Sequence, residues 1–185
     1  MRKNFGVKSW IYPEPVLMIG TYNDDGSSNI MNAAWGAMSE TDEVFISLSE
    51  HKTTENFLKR GAFTISIATK KTVVESDYFG VVSGKKEDKV KKANFHPIKS
   101  EFVDAPLFEE YPIALECKLK SFSSDGKLIG TIVNVSVDDS VLTDGKVDLD
   151  KLEAIAYDPF NNKYVLCKEV VGSAFKDGLK LRGNK

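Results

Sequence analysis

The sequence is poor in the residues on which several chemistries depend. It holds two cysteines and two histidines in 185 residues. Neither Cys117 and Cys167 nor His51 and His96 have the spacing of a metal-ligand set, so no metal site is expected. The two cysteines lie far apart inside apolar runs, which fits buried thiols in a reducing compartment better than a disulfide framework. There is no G-x-S-x-G elbow, no Walker loop and no dinucleotide-binding glycine fingerprint. Their absence removes the usual warrants for Ser-His-Asp hydrolysis, P-loop phosphoryl transfer and Rossmann-type binding. Long apolar runs are also missing: none approaches the ~20 residues of a membrane span. The opening MRKNFGVKSW is charged and soon broken by Pro13 and Pro15, so it has no apolar core of secretory length. A cytoplasmic protein without a membrane partner is expected. A net charge of −2 and a pI near 5.8 create no global attraction for nucleic acid. The local basic loop 85-KKEDKVKK-92 lacks the interleaved aromatics of a single-strand binder.

What is present is mostly strand. Val16–Tyr22 and Asn29–Trp35 flank 23-NDDGSS-28, and Ile113–Phe122 and Leu128–Val137 flank 123-SSDGK-127. Each Asp-Gly supplies the positive-φ position of a hairpin turn. With Val44–Leu48, Phe63–Ala68 and Tyr164–Val171 there are about seven strands, which favours an antiparallel barrel or sandwich. Helices are short: Thr53 is a candidate N-cap for a helix stopping at Gly61, and 71–79 and 86–93 allow a few turns each. The stretch from Asn94 to Pro112 holds three prolines and reads as a surface excursion. The length makes one domain, 1–185, the default.

Two segments carry candidate chemistry. In 29-NIMNAAWG-36 two alanines stand beside an indole; small side chains let a flat ligand approach the backbone, and the alternative is plain core packing. In 47-SLSEHKTTEN-56, Ser47 and Ser49 share one side of a strand, while His51, Lys52, Thr53 and Thr54 sit where a helix begins. Hydroxyls, a cation and helix N–H groups can hold an anion. The alternative is a capped helix with a solvated lysine and an exposed histidine.

In order, P-x-P-V, G-T-x-N-x-D-G, N-I-M-N-A-A-W-G and S-L-S-x-H-K-T-x-x-N resemble the flavin reductase-like, FMN-binding split-barrel family. The likeness continues through 77-DYFGVVSGKKEDK-89, 112-PIALECKL-119 and 164-YVLCKEVVGSAFKDG-178, and so spans nearly the whole chain. It implies a mainly β fold, a six-stranded antiparallel Greek-key split barrel with short flanking helices, dimeric, with FMN at or near the subunit interface. It assigns Asn32, Ala33, Ala34 and Trp35 to the isoalloxazine ring, and Ser47, Leu48 and Ser49 to ring and ribityl contacts. His51, Lys52, Thr53, Thr54 and Asn56 fall around the ribityl chain and phosphate, and Asp77, Ser83, Gly84 and Lys89 on a loop approaching the cofactor. No catalytic side chain is required, because the flavin carries the redox chemistry.

The implied activity is an oxidoreductase passing electrons from NADH or NADPH through FMN to a flavin, ferric or other small acceptor. Many short flavin reductases have a histidine in the late hairpin near the nicotinamide, whereas this chain reads 125-DGKLIGTIVNV-135. That departure motivates the alternative of a flavoredoxin-like electron carrier reduced by a protein partner.

Overall fold

The computed structural model describes residues 1–182. Its frame is one seven-stranded antiparallel sheet: β1 (Leu17–Tyr22), β2 (Ser28–Ala33), β3 (Gly36–Glu40), β4 (Glu43–Ser47), β5 (Ala62–Ile67), β6 (Ile113–Phe122) and β7 (Lys127–Val137). The strand order is β2-β1-β5-β6-β7-β4-β3, so β1 lies beside β5 and β4 beside β7 in Greek-key fashion. The two edge strands, β2 and β3, are consecutive in the chain. The sheet therefore curls toward closure at Ala34 and Trp35, the half-open form of a split barrel.

Two apolar layers hold the curl. Inside it, Leu17, Ile19, Met31, Ala33, Val44, Ile46, Phe63, Ile65, Cys117 and Leu128 meet, with Phe57 plugging one side. Outside β1 and β2, Val16, Met18 and Ile30 face a second cluster containing Phe79, Val90, Phe95, Phe108 and Tyr111. Successive strand residues point to opposite faces, so β1 can serve both layers. Phe57 comes from α1 (Lys52–Arg60), which has Glu55 in its first turn and Lys59 and Arg60 in its last, in keeping with the helix dipole. Phe79 comes from α2 (Val73–Val81), packed on β2. Val90 comes from the short α3 (Lys89–Lys92).

Several expectations need correction. The sheet has seven strands rather than six, because exposed Gly36–Glu40, which shows no apolar alternation, pairs with β4. The run Asn29–Trp35 ends at Ala33, since Ala34 and Trp35 turn the corner and the Gly36 N–H bonds back to the Ala34 carbonyl (3.0 Å). Thr53 is not the N-cap: His51 is, with extended backbone, and Thr53 lies inside the helix. The last strand stops at Leu166, because its partner Ile155–Asp158 is four residues long and Ile155 pairs with Leu166. The 94–112 excursion contains a small hairpin, Pro97–Lys99 with Pro106–Phe108. Its loop is pinned by Ser100, whose hydroxyl bonds to the buried Glu116 carboxylate. Both cysteines are free, but only Cys117 is buried; Cys167 is exposed. No described helix is long and apolar enough to cross a membrane.

Candidate functional site

A groove runs along the corner between the sheet edges. Its wider part, about 450 Å³, is lined by Met31, Asn32, Ala33, Ala34, Trp35, Ser47, Leu48, Ser49 and His51. A narrower part of about 190 Å³ continues past Asn29, Asn32, His51, Lys52, Thr53, Phe79, Gly80, Val82, Ser83, Gly84 and Lys89. Met31, Asn32 and His51 line both, so the two parts are one continuous recess.

The wide part is held by backbone bonds. The Ser47 N–H donates to the Trp35 carbonyl (2.8 Å), which ties the corner to β4. The Leu48 N–H donates to the Gly126 carbonyl (2.8 Å), so the late hairpin turn fixes the opposite wall. Gly126 has φ +81°, and a Cβ there would lie 2.1 Å from the Leu48 carbonyl oxygen, so only glycine permits this approach. Ala33 is buried, Ala34 partly so, and Trp35 is 58% exposed. Trp35 is therefore a wall of the groove rather than core. Ser49 Oγ lies 3.0 Å from His51 Nε2, and the Lys127 ammonium donates to Ser47 Oγ (3.4 Å).

The narrow part is polar, cationic and assembled from three separate segments. Asn29 Nδ2 donates to Thr53 Oγ1 (2.8 Å), which orients a hydroxyl 1% exposed at the start of α1. The first helical bond runs from the Glu55 N–H to the His51 carbonyl (3.3 Å), so the N–H groups of Lys52, Thr53 and Thr54 precede the ladder. Lys89 is 5% exposed and spends one N–H on the Phe79 carbonyl (2.8 Å), leaving two donors for a ligand. Burial lowers the Lys89 pKa to about 8. Burial, together with the positive charges of Lys89 and Lys85, pushes the His51 pKa below its ordinary value. Gly84 packs so closely that a Cβ would sit 2.3 Å from Asn29 Oδ1.

Thirteen of the sixteen residues expected from the sequence line this groove; the other three lie behind it. Thr54 accepts the His51 N–H (3.2 Å) and donates to the Ser49 carbonyl (3.1 Å), bracing the helix start. Asn56 faces away, donating to Thr21 Oγ1 (3.0 Å) and Asn23 Oδ1 (2.9 Å) of the first hairpin. Asp77 accepts the Tyr164 hydroxyl (2.8 Å). Burial and that carboxylate raise the Tyr164 pKa to about 12, while a hydrogen bond with Asn32 opposes the shift, so Asp77 reaches the groove only through Tyr164. Sequence reading missed Asn29, Met31, Phe79, Gly80 and Val82. The first two belong to the strand already singled out, and the others directly precede Ser83, but which faces turn inward depends on how α2 docks. Among the described residues no group of histidine, cysteine and acidic side chains could hold a metal ion.

The groove suits a ligand with a flat apolar part and an anionic tail. Comparison with known proteins points the same way. The model of the flavin reductase like domain matches residues 9–152. Flavoredoxin of Desulfovibrio vulgaris (Miyazaki F) is 36% identical, with 96% of this chain and 100% of that chain covered and a TM-score of 0.93. Flavoredoxin from Methanosarcina acetivorans is 25% identical over 97% of this chain and 100% of that one, with a TM-score of 0.86. An FMN-binding domain of a flavin reductases-like enzyme from Shewanella baltica OS155 shares the fold at 18% identity, with 86% and 89% covered and a TM-score of 0.77. The chain is a member of the flavin reductase-like domain family.

Proposed function

We propose that this chain is an FMN-binding flavoprotein oxidoreductase, one flavin reductase-like domain over 1–185. It passes electrons from NADH or NADPH through bound FMN to a flavin, a ferric complex or another small acceptor. The observation that carries this reading is the continuity of the groove: a small-residue platform opens directly into a buried cationic cleft. FMN joins an apolar ring system to a phosphate dianion, and the donor set fits both. Asn32, Ala33, Ala34, Trp35 and Leu48 would hold the ring. Ser47, Ser49 and His51 would meet the ribityl hydroxyls, and Lys52, Thr53, Ser83 and Lys89 the phosphate. Bound FMN supplies the one- and two-electron chemistry; the protein's side chains bind it, orient it and set its surroundings. Gly84 permits the loop to close on Asn29, and Thr54 and Asn56 hold the helix and hairpin in place. The wide part of the groove opens to solvent, which leaves room for a second reactant.

A homodimer with the cofactor near its interface is part of this reading. Exposed Trp35 and Met38 near the groove, and Val133 and Val135 two residues apart on β7, offer apolar surface for a second subunit. The free thiols are in keeping with a cytoplasmic location.

The test is the visible spectrum of purified protein reconstituted with FMN, followed by anaerobic addition of NADH and NADPH. Bound flavin that bleaches with either nucleotide is the expected result; bound flavin that bleaches with neither removes the nicotinamide step. The hairpin Lys127–Val137, which has no histidine, and the 36% identity to a flavoredoxin favour a second reading, an FMN electron carrier reduced by a protein partner. Steady NAD(P)H turnover with small acceptors and no partner protein would exclude it.

A further inference from the structure

A cleft on the outer side of Trp35 and the arm that follows Leu166 each lack what the other carries. The cleft, about 510 Å³, is walled by Ile11, Pro13, Pro15, Ala34, Trp35 and Phe45, and its one charged lining residue is Glu14. Glu14 is 7% exposed, and its Oε2 is buried without a hydrogen-bond partner. Burial raises its pKa, and a hydrogen bond with Trp35 offsets only part of the rise. A buried carboxylate oxygen without a donor is costly, so the cleft is set for a second donor that is itself flanked by apolar groups.

The arm is the reverse. Its last ties to the body are the Cys167 N–H on the Ala154 carbonyl (2.9 Å) and Lys168 beside Asp150 (3.5 Å). Beyond Lys168, every hydrogen bond and ion pair of the described arm is internal to it. Val170, Val171, Phe175 and Leu181 are 75%, 90%, 99% and 92% exposed. Lys180 is held by Asp177, but Lys176, next to Phe175, makes no ion pair among the described residues. So much exposed apolar surface beside free positive charge marks a segment that packs on something outside its own chain.

We propose that the cleft receives the C-terminal arm of a second copy of this chain, with its apolar side chains against Ile11 and Phe45 and a lysine meeting Glu14. The arm is rooted only two strands from Glu14, since Pro15 pairs with Ala156 and Ala156 with Val165. The root is thus about 10 Å from its own cleft, yet the arm stands off it. The ten residues 167–176 that precede the 3-10 helix Asp177–Leu181 reach at most about 35 Å when extended, enough to carry that helix onto a neighbouring protomer. A two-fold axis makes the exchange reciprocal and closed. Because the cleft and the groove share the Ala34 and Trp35 wall, each subunit backs the other's indole. The inference rests on the dimeric reading above and is independent of the cofactor.

The test replaces Phe175 with the photo-crosslinker p-benzoylphenylalanine in the full chain, mixes unlabelled with ¹⁵N-labelled protein, and identifies cross-linked peptides by mass. Heavy-to-light pairs joining position 175 to residues 9–15 or 34–45 are expected. A chain ending at Leu166 should show a dimer Kd at least tenfold weaker by equilibrium sedimentation, with its strand circular dichroism retained. A full chain that stays monomeric overturns the dimer and the arm together. A dimer with cross-links only within one chain, and a Kd unchanged by truncation, overturns the arm alone.

Discussion

In the wide half of the groove, Ala33, Ala34 and Trp35 follow one another in the chain, and Ser47, Leu48 and Ser49 stand beside them. In the narrow half, Asn29, Thr53, Gly84 and Lys89 come from three separate segments and meet only through packing of α1, α2 and the 82–89 loop on β2. The wide half is open and backbone-braced, and it tolerates exposure of its largest side chain. The narrow half is charged and tightly fitted, with Asn29, Thr53 and Lys89 buried in its floor. Selectivity for an anionic tail therefore depends on tertiary packing, whereas room for a flat ring is nearly a local property of one corner.

Substitutions should separate the halves by size of effect. The largest is expected from Gly84→Val, whose Cβ would collide with Asn29 and free the Thr53 hydroxyl. FMN affinity, read by fluorescence titration, should fall more than about 100-fold, the scale of losing two charge-assisted contacts. Thr53→Ala should cost about 1.5–3 kcal/mol of FMN binding, or roughly 10- to 150-fold, if its hydroxyl meets the phosphate. Loss of the buried Asn29–Thr53 bond should also lower the melting temperature of the FMN-free protein by a few degrees, and an unchanged affinity would remove Thr53 from the site.

Lys89 makes a pH prediction with two signs. With its pKa near 8, the ammonium is present below that pH and lost above it, so FMN affinity should fall above pH 8 by at most about tenfold per unit. Without FMN the sign reverses. The unfolded chain, with an ordinary lysine pKa near 10.5, binds more protons between pH 8 and 10.5, so the Lys89 contribution to stability rises with pH across that window. Lys89→Met should flatten both slopes, and slopes equal to wild type would exclude Lys89 as their source. Trp35→Ala should weaken FMN binding only about 2- to 10-fold, because half-exposed aromatic contacts are worth little more. The smallest effect on binding belongs to Asn56→Ala. Affinity should stay within about twofold while stability drops about 1–3 kcal/mol, since its two bonds hold the first hairpin. A large loss of affinity there would mean that the hairpin, not the groove lining, controls the site.

Much of this was legible before folding. Asp25-Gly26 and Asp125-Gly126 mark their hairpins, because the turns need positive φ there and both glycines adopt it. The resemblance to the family pointed to both halves of the groove, and its motifs include most of the lining residues. Gly36–Glu40 was missed because an exposed edge strand leaves no apolar alternation to read. Asn56 and Thr54 were grouped with the ligand residues because helical neighbours look alike in sequence, whereas a helix turns each successive residue by 100°. Only docking of α1 through Phe57 decides which of them faces the groove.

By itself, then, the sequence determined most strands of the main sheet, the two tight turns, the small-residue corner and the hydroxyl-rich start of α1, since each rests on local stereochemistry. Only the tertiary structure decided that Lys89 is buried beside Thr53, that Gly84 must lack a side chain, and that one carboxylate oxygen of Glu14 is left without a partner. Burial and close approach depend on what other segments bring to a point, and no local pattern records that.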